Sequence, residues 1–420
     1  MHKKKSNLIN LGCRLNIYEG EVIKSILNKN NIDNYTVINS CAVTNEAEKN
    51  LKYQIRRAKR KYPNKKIVLT GCAAQINYKK YLEMKEIDFV MGNNEKMNEK
   101  AWKNLSSENA IQVGNIFQDY MHNSNNIDSF EGKARAYIEI QQGCDHRCTF
   151  CIIPYGRGNN RSVPVGLVVE RIKKLVENNY NEIVLTGVDI TDYGKDLPGS
   201  PNLFQLCIRI LNLIPNLKRL RLSSIDCAEI NEDFWDLLEN KRLMPHFHLS
   251  LQSGSNLILK RMKRRHNREQ VINFCNNVKK IRKDVVFGAD LIAGFPTEND
   301  QMFKDTLNLV NECNLIHLHV FPFSPKENTP AARMPQVSRE VIKKRASILR
   351  QKGKDNLKKY LKNQIGNKNE VLIEKVENSF SYGKSEYFTK IKLPYSIKEG
   401  MIVDCQIIKS DANIAEANII

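Results

Sequence analysis

The chain has 420 residues, 41% of them hydrophobic, and a mean hydropathy of -0.48, which is material for about three ordinary domains and not the make-up of a disordered chain. It has no apolar run of membrane-spanning length, and MHKKKSNLINLG lacks the apolar core of a secretory signal, so a cytoplasmic protein without a membrane partner is expected. Its eleven scattered cysteines argue against a disulfide framework. The net charge of +20 fits a polyanionic partner, although a merely solvated lysine-rich surface gives the same number.

Residues 1–117 alternate strand and helix patterns. NLINLGC is a short apolar strand ending in Cys13, and GEVIKSILNKN is a helix. TVINSC is a second strand ending in Cys41. NEAEKNLKYQIRRAKRKY follows as a helix, with Asn45 and Glu48 as its capping pair. KIVLTGC is a third strand ending in Cys72, and IDFVMG is a fourth apolar run. Alternation of this kind predicts a parallel sheet. Each cysteine then falls at the carboxyl end of its strand, where open α/β sheets place their sites. With 27 and 30 residues between successive cysteines, adjacent strands bring three thiols to one edge. Three ordinary buried cysteines are the competing reading.

A polar linker is expected over 118–134. Residues 135–330 repeat one theme: YIEIQQGC, EIVLTGVD, LKRLRLSSID, HFHLSLQSG, VVFGADLIAG and LIHLHVFPFS are six strand-like runs, separated by amphipathic helices such as LVVERIKKLVEN and DQMFKDTLNLVNEC. Six such units predict an open (β/α)6 relative of the eight-stranded barrel, with working residues at strand carboxyl ends. Gln142, Thr186, Asp189, Ser223, Gln252 and Asp290 fall there. A basic helical stretch covers 331–363. Within 364–420, EVLIEKV, SEYFTKIKLP and MIVDCQIIK are short strands, the pattern of a small antiparallel β-barrel. The expected fold class is therefore α/β, with a parallel-sheet domain, an open barrel and a small β-barrel.

The densest chemistry is GCDHRCTFC, with Cys144, Cys148 and Cys151 in nine positions. Cysteine thiolate is the usual ligand of a four-iron cluster, and three cysteines leave one iron open to chelate the methionine end of S-adenosylmethionine. The alternative is a Cys3His zinc site using His146, although no second CxxC-like element sits nearby.

These motifs carry a resemblance. QQGCDHRCTFCIIPYGRG, IVLTGVDI, LRLSSID, HLSLQSGS, LKRMKRRH, DLIAGFP and LHVFPFSP are similar to the radical domain of the radical S-adenosylmethionine methylthiotransferases. LGCRLNIYE, VINSCAVTNEAEK and LTGCAAQ are similar to that family's N-terminal domain, and the last segment resembles its TRAM module more weakly. More narrowly, the chain resembles the branch that modifies N6-threonylcarbamoyladenosine beside the tRNA anticodon. A branch that acts on a ribosomal-protein aspartate tends to have proline after the first cysteine, where Arg14 stands here.

The resemblance implies two [4Fe-4S] clusters, one on Cys144, Cys148 and Cys151 for S-adenosylmethionine, and an auxiliary one on Cys13, Cys41 and Cys72 that carries the added sulfur. It implies radical insertion of sulfur and a methyl group at C2 of the adenine, a carbon with no leaving group. Phe150, Thr186, Gly187, Ser223, Gln252 and Asp290 are the expected contacts to S-adenosylmethionine, each competing with a cap or turn role. Expected partners are the tRNA anticodon loop, reached through IRRAKRKYPNKK, LKRMKRRH and the long basic helix, and an electron-donor protein. The chain is expected to act as a monomer. A zinc-bearing RNA-binding protein without catalysis is the reading from another class. One departure stands out: the family's GFPGET is GFPTEN here, and Thr297 with Asp300 is expected to cap the next helix.

Overall fold

The structure is a computed structural model that describes residues 7–118, 127 and 129–420; most of the expected linker at 118–134 lies outside the described residues. Strands β1 (Asn7–Asn10), β2 (Tyr35–Ser40), β3 (Lys66–Gly71), β4 (Phe89–Met91) and β5 (Ile111–Gln112) form one sheet in that order, and every pairing is parallel. All six residues of β2 are buried, as expected of a central parallel strand covered on both faces. The helix Arg14–Lys29 buries Leu15, Tyr18, Val22, Ile23, Ile26 and Leu27, which is one stripe at helical spacing. The helix Asn45–Lys61 is capped by Thr44, whose Oγ1 accepts from the Ala47 amide at 3.1 Å. The expected Asn45–Glu48 pair is therefore displaced by one residue, and Glu48 instead accepts from Lys326 at 2.7 Å.

Six parallel strands follow: β6 (Ala136–Glu139), β7 (Glu182–Thr186), β8 (Arg219–Leu222), β9 (His246–Gln252), β10 (Val286–Ala293) and β11 (Leu315–Pro322). β6, β7 and β8 pair in sequence order, as do β9, β10 and β11. The Leu220–Leu243 bridge and the Ser224–Ile225 pairing with His248 and Leu249 join the two halves. Helices on the outside bury their apolar stripes against the strands, with Phe234 packed on Phe204, Phe247 and Phe274. Asn202 and Asn267 start two of these helices with reciprocal capping boxes.

The helix Arg339–Asn363 runs along β11, where Gly353 meets Leu318 at a distance that leaves no room for a larger side chain to sit unperturbed. It leads into β12 (Lys368–Glu377), β13 (Phe380–Ser385), β14 (Lys390–Leu393), β15 (Ile402–Ser410) and β16 (Ile414–Ile419). These close into a barrel in the order β12-β13-β14-β16-β15, antiparallel except for the parallel β14–β16 pair. The sequence suggests three strands here and the structure has five. SEYFTKIKLP is divided by a turn, and the polar runs FSYGKS and IAEANI pair as strands because ladder partners override their composition.

That turn docks the small barrel. Phe388, at φ +64°, lies parallel to the His246 ring at 5.3 Å. Around it stand Lys384 at 3.7 Å, Arg221 at 5.0 Å, Arg135 at 5.5 Å and Arg14 at 5.6 Å from the ring centre. Buried Glu182 neutralises Arg135 at 2.7 Å and Arg221 at 3.1 Å. Arg135 also reaches Glu374 of the small barrel at 2.5 Å, and Arg219 reaches Glu370 at 3.2 Å. Phe388→Ala removes the ring these cations share and leaves a gap under His246, at a cost of about 2 kcal/mol for a half-buried aromatic. Hydrogen exchange should speed up at residues 380–393 and 219–222 while the far-ultraviolet circular dichroism is unchanged; unaltered exchange there would refute the docking role.

Candidate functional site

The register of the first sheet sets three cysteines at one edge. Asn10 pairs with Asn39 and Ser40 with Gly71, so Cys41 and Cys72 leave adjacent strands side by side and Cys13 lies three residues past β1. Gly12 and Gly71 take φ of +103° and +96°. A side chain at Gly12 would meet the Cys41 Cβ at 2.7 Å, and one at Gly71 would meet the Ser40 backbone, so both turns need glycine. Burial pushes the Cys41 thiol up to about 12, and Cys72 and Cys13 push it further the same way. Such a thiol stays protonated unless cations or a metal take the proton's place.

The cations are present. Arg157 and Lys96 are buried beneath the three cysteines, and Glu19 is buried between them. Glu19 accepts from Lys96 at 2.6 Å and from Arg157 at 2.6 and 3.1 Å. Burial alone would raise the Glu19 carboxyl, but Arg157 and Lys96 outweigh it and hold it down to about 2. Asn16 accepts from Arg157 at 2.7 Å, and Asn93 accepts from Lys96 at 2.6 Å while its own amide points at the Cys72 sulfur at 3.7 Å. Gln142 joins from the barrel, donating to Glu19 at 3.1 Å and to Glu139 at 2.8 Å. It is turned to this network and not to the barrel mouth. Burial, with Glu19 adding to it, raises Glu139 to about 7.

The second triad lies on the loop after β6. Arg157 ends the short helix Ile153–Arg157 that follows Cys151, so the same guanidinium fixes both loops. A side chain at Gly156 would stand 3.2 Å from the Cys72 Cβ. Burial and Asp189 raise the Cys144 thiol, and burial raises Cys151 to about 12. Arg264 Nη1 points at the Cys148 sulfur at 3.9 Å, and its Nη2 donates to Asp226 at 2.8 Å. His146 Nε2 faces Asp189 at 3.2 Å.

Among the described residues, the groups of three ligand atoms that fall within 4.8 Å of one another include neither cysteine triad. Thiolates on one tetrahedral zinc lie about 3.8 Å apart, so each triad is spread for a polynuclear centre. Three soft thiols, buried counter-cations and donors aimed at sulfur fit an iron–sulfur cluster. They do not assemble the Cys3His zinc alternative: His146 converges with Cys144 and Asp189, and not with Cys148 and Cys151.

Between the loops is a cavity of about 220 Å³, lined by Val43 and Thr44 after the Cys41 turn, Phe150 and Cys151, and the strand residues Gln252 and Asp290. Of the expected cofactor contacts, Phe150, Gln252 and Asp290 thus meet in one space. Thr186 ends β7, and Gly187 lies against Gln141, whose Oε1 accepts from the Val188 and Asp189 amides at 2.9 and 2.8 Å. Ser223 is buried at the break after β8. Asp290 is not at its strand end but mid-strand, where its Oδ1 takes His248 Nε2 at 3.1 Å and His319 Nδ1 at 3.2 Å. Those hydrogen bonds outweigh burial and hold its carboxyl below the usual range. The helix Asp300–Glu312 is capped by Asn299 and not by Thr297. Thr297 sits at φ +70° and accepts from Arg261 at 2.7 Å.

The arginines of the basic run LKRMKRRH are engaged within the molecule, Arg264 and Arg265 by Asp226 and Arg261 by Thr297, while Lys260 and Lys263 are exposed. Cys207, Cys275, Cys313 and Cys405 are buried, as small hydrophobes should be. Sequence reasoning missed Arg157, Glu19 and Lys96; the one available signal was Glu19, a charge among the apolar residues of the helix Arg14–Lys29.

The six-stranded open barrel with a three-cysteine loop after its first strand defines a radical S-adenosylmethionine enzyme. The description "Radical SAM superfamily" matches residues 138–310, and "Uncharacterized protein family UPF0004" matches residues 5–92. The solved structure of the radical S-adenosylmethionine methyltransferase TsrM from Kitasatospora setae shares the fold with a TM-score of 0.54 at 13% identity, covering 75% of this chain and 72% of that one. Among curated proteins, the threonylcarbamoyladenosine tRNA methylthiotransferase MtaB of Rickettsia prowazekii is 48% identical over 405 residues, 96% of this chain and 95% of its own. The tRNA-2-methylthio-N(6)-dimethylallyladenosine synthase of Pelagibacter ubique is 30% identical, covering 98% of this chain and 96% of its own. The chain belongs to the radical S-adenosylmethionine methylthiotransferase family and is a transferase that uses a [4Fe-4S] cluster and S-adenosylmethionine.

Glu19→Gln leaves Arg157 and Lys96 buried without their anion, and should cost about 3–5 kcal/mol in urea unfolding. The wild-type Glu19 value of about 2 lies below the unfolded value of roughly 4.3, so its contribution is full above that pH and is lost as pH falls toward 2. A Glu19→Gln protein as stable as wild type at pH 7 would contradict the network's importance.

Proposed function

We propose that this enzyme inserts sulfur and a methyl group at C2 of N6-threonylcarbamoyladenosine, next to the anticodon of tRNA. The observation that carries the reading is the meeting of two cysteine triads across one cavity, locked together by Arg157. The relatives from Rickettsia prowazekii and Thermotoga maritima, at 48% and 35% identity, carry the threonylcarbamoyladenosine name, which favours this substrate over the dimethylallyl one, carried by relatives at 30%.

Cys144, Cys148 and Cys151 would hold the cluster that binds S-adenosylmethionine, and Cys13, Cys41 and Cys72 a second [4Fe-4S] cluster that carries the sulfur. When bound, these groups supply reductive cleavage of S-adenosylmethionine and a transferable sulfur. The chain's own residues orient and protect. Phe150, packed edge-on to Phe295 at 6.4 Å, and Gln252 wall the cofactor cavity and keep water out. Arg264 donates to the Cys148 sulfur and holds the side chain in place. Thr186, Gly187 and Ser223 line the strand ends for the amino-acid part of the cofactor, while Asp290 serves to orient His319 at the substrate side. Lys96 and Arg157 balance the negative charge of the Cys13, Cys41 and Cys72 triad.

The tRNA surface is supplied by exposed cations: Arg56, Arg57 and Arg60 on one helix, and Lys343, Lys354 and Lys358 on the long one. No helix among the described residues is long and apolar enough to cross a membrane, and a cytoplasmic monomer served by an electron-donor protein fits the tRNA substrate.

Anaerobically reconstituted wild type should carry about eight irons per chain, and a variant with Cys144, Cys148 and Cys151 all replaced by alanine about four. Cys13→Ala should abolish methylthiolated nucleoside in tRNA digests, and its persistence would refute the second cluster's role. Affinity for the anticodon stem-loop should fall at least tenfold between 50 and 200 mM salt, whereas flat binding would exclude the proposed lysine–phosphate contacts.

A further inference from the structure

The barrel interior is crowded with cations, and almost all of them are matched. Arg135 and Arg221 share Glu182, Arg157 and Lys96 share Glu19, and Arg264 has Asp226. Arg14 differs. It follows Cys13 directly, reaches into the interior, and its guanidinium stands over the Phe388 ring at 5.6 Å. Among the described residues its side chain has no hydrogen-bond or ion-pair partner. A guanidinium half-removed from water without a carboxylate is costly to keep. Opposite it, Asp290 holds His319 by Nδ1 at 3.2 Å, leaving Nε2 unclaimed on a ring that is 58% exposed.

Resting on the substrate reading above, we propose that Arg14 is a specificity-determining residue whose guanidinium pairs with the carboxylate of the substrate's N6 substituent, with His319 Nε2 as an acceptor for the substituent's hydroxyl. The threonylcarbamoyl group brings a carboxylate, a hydroxyl and a urea. A carboxylate entering this space must find a partner, and the planar fork of arginine accepts it bidentately. An alkyl substituent of similar size leaves Arg14 as it was, unpaired, and gains nothing. The discrimination thus comes from one charge pair that forms only with the acidic substituent. Because Arg14 adjoins Cys13, the pair also fixes the adenine beside the sulfur-bearing loop.

The test uses reconstituted holoenzyme without S-adenosylmethionine and fluorescent anticodon stem-loops carrying threonylcarbamoyladenosine, its carboxyl methyl ester, or plain adenosine. Wild type should bind the acid about tenfold or more tighter than the ester, the size of one charge-assisted pair. Arg14→Gln should lose that margin, and Arg14→Lys should keep part of it, with iron content as the check on folding. Equal acid-over-ester preference in wild type and Arg14→Gln overturns the assignment. The wild-type comparison alone needs no variant, and a wild type indifferent between acid and ester also overturns it. Wild type that prefers neither over plain adenosine overturns the substrate reading as well.

Discussion

Glu19, sealed between Arg157 and Lys96, is the interaction on which both cysteine loops depend. The three side chains come from three separate stretches: the helix after the first cysteine, the turn after β4, and the short helix after the second cysteine loop. Buried ion sets seldom add stability over an apolar core of the same volume, because desolvation consumes the Coulomb gain. What this one provides is register. A guanidinium with two carboxylate bonds and one to Asn16 tolerates little sliding, so the loop bearing Cys151 is fixed against the loop bearing Cys13. Hydrophobic contact alone would leave that alignment loose by the ångström that matters to chemistry.

A second charged set governs the opposite end. Glu182 gathers Arg135, Arg219 and Arg221 at the amino ends of the strands, and Phe388 from the small barrel covers them. The interior is thereby bounded below by an aromatic ring and above by the cysteine loop. Exposure returns at the edge strand β11, where His319 and Phe321 stand on the cavity side within reach of solvent.

Much of this was legible in the sequence, for identifiable reasons. Parallel strands buried on both faces read as continuous apolar runs, so all six barrel strands and the three cysteine-bearing strands could be placed, with each cysteine at its strand's end. Errors cluster where the signal is one residue wide or long-range. Thr44 and Asn45 are both cap formers, and only tertiary packing decides between them. Thr297 occupies a left-handed position that favours glycine, and no local pattern announces that Arg261 and the Pro335 carbonyl hold it there. The small barrel's polar strands have no period strong enough to compete with their turns. The Glu19–Arg157 pair spans 138 residues, beyond any periodicity.

The charge of the chain divides by location, and so does its work. Surface lysines and arginines on the two basic helices face water, where attraction to a phosphate backbone is long-ranged, screened by salt and blind to the base. The run LKRMKRRH looks equally basic in sequence, yet its arginines are engaged by Asp226, Glu229 and Thr297 around the loop bearing Cys144, Cys148 and Cys151. Affinity for nucleic acid therefore belongs to the outside. Inside, where water is scarce, one charge without a partner changes which substituent can be accommodated, because its pairing energy is not diluted by solvent. A net excess of twenty positive charges says little about selectivity; a single arginine beside Cys13 says far more, because it is the one placed where pairing has consequences.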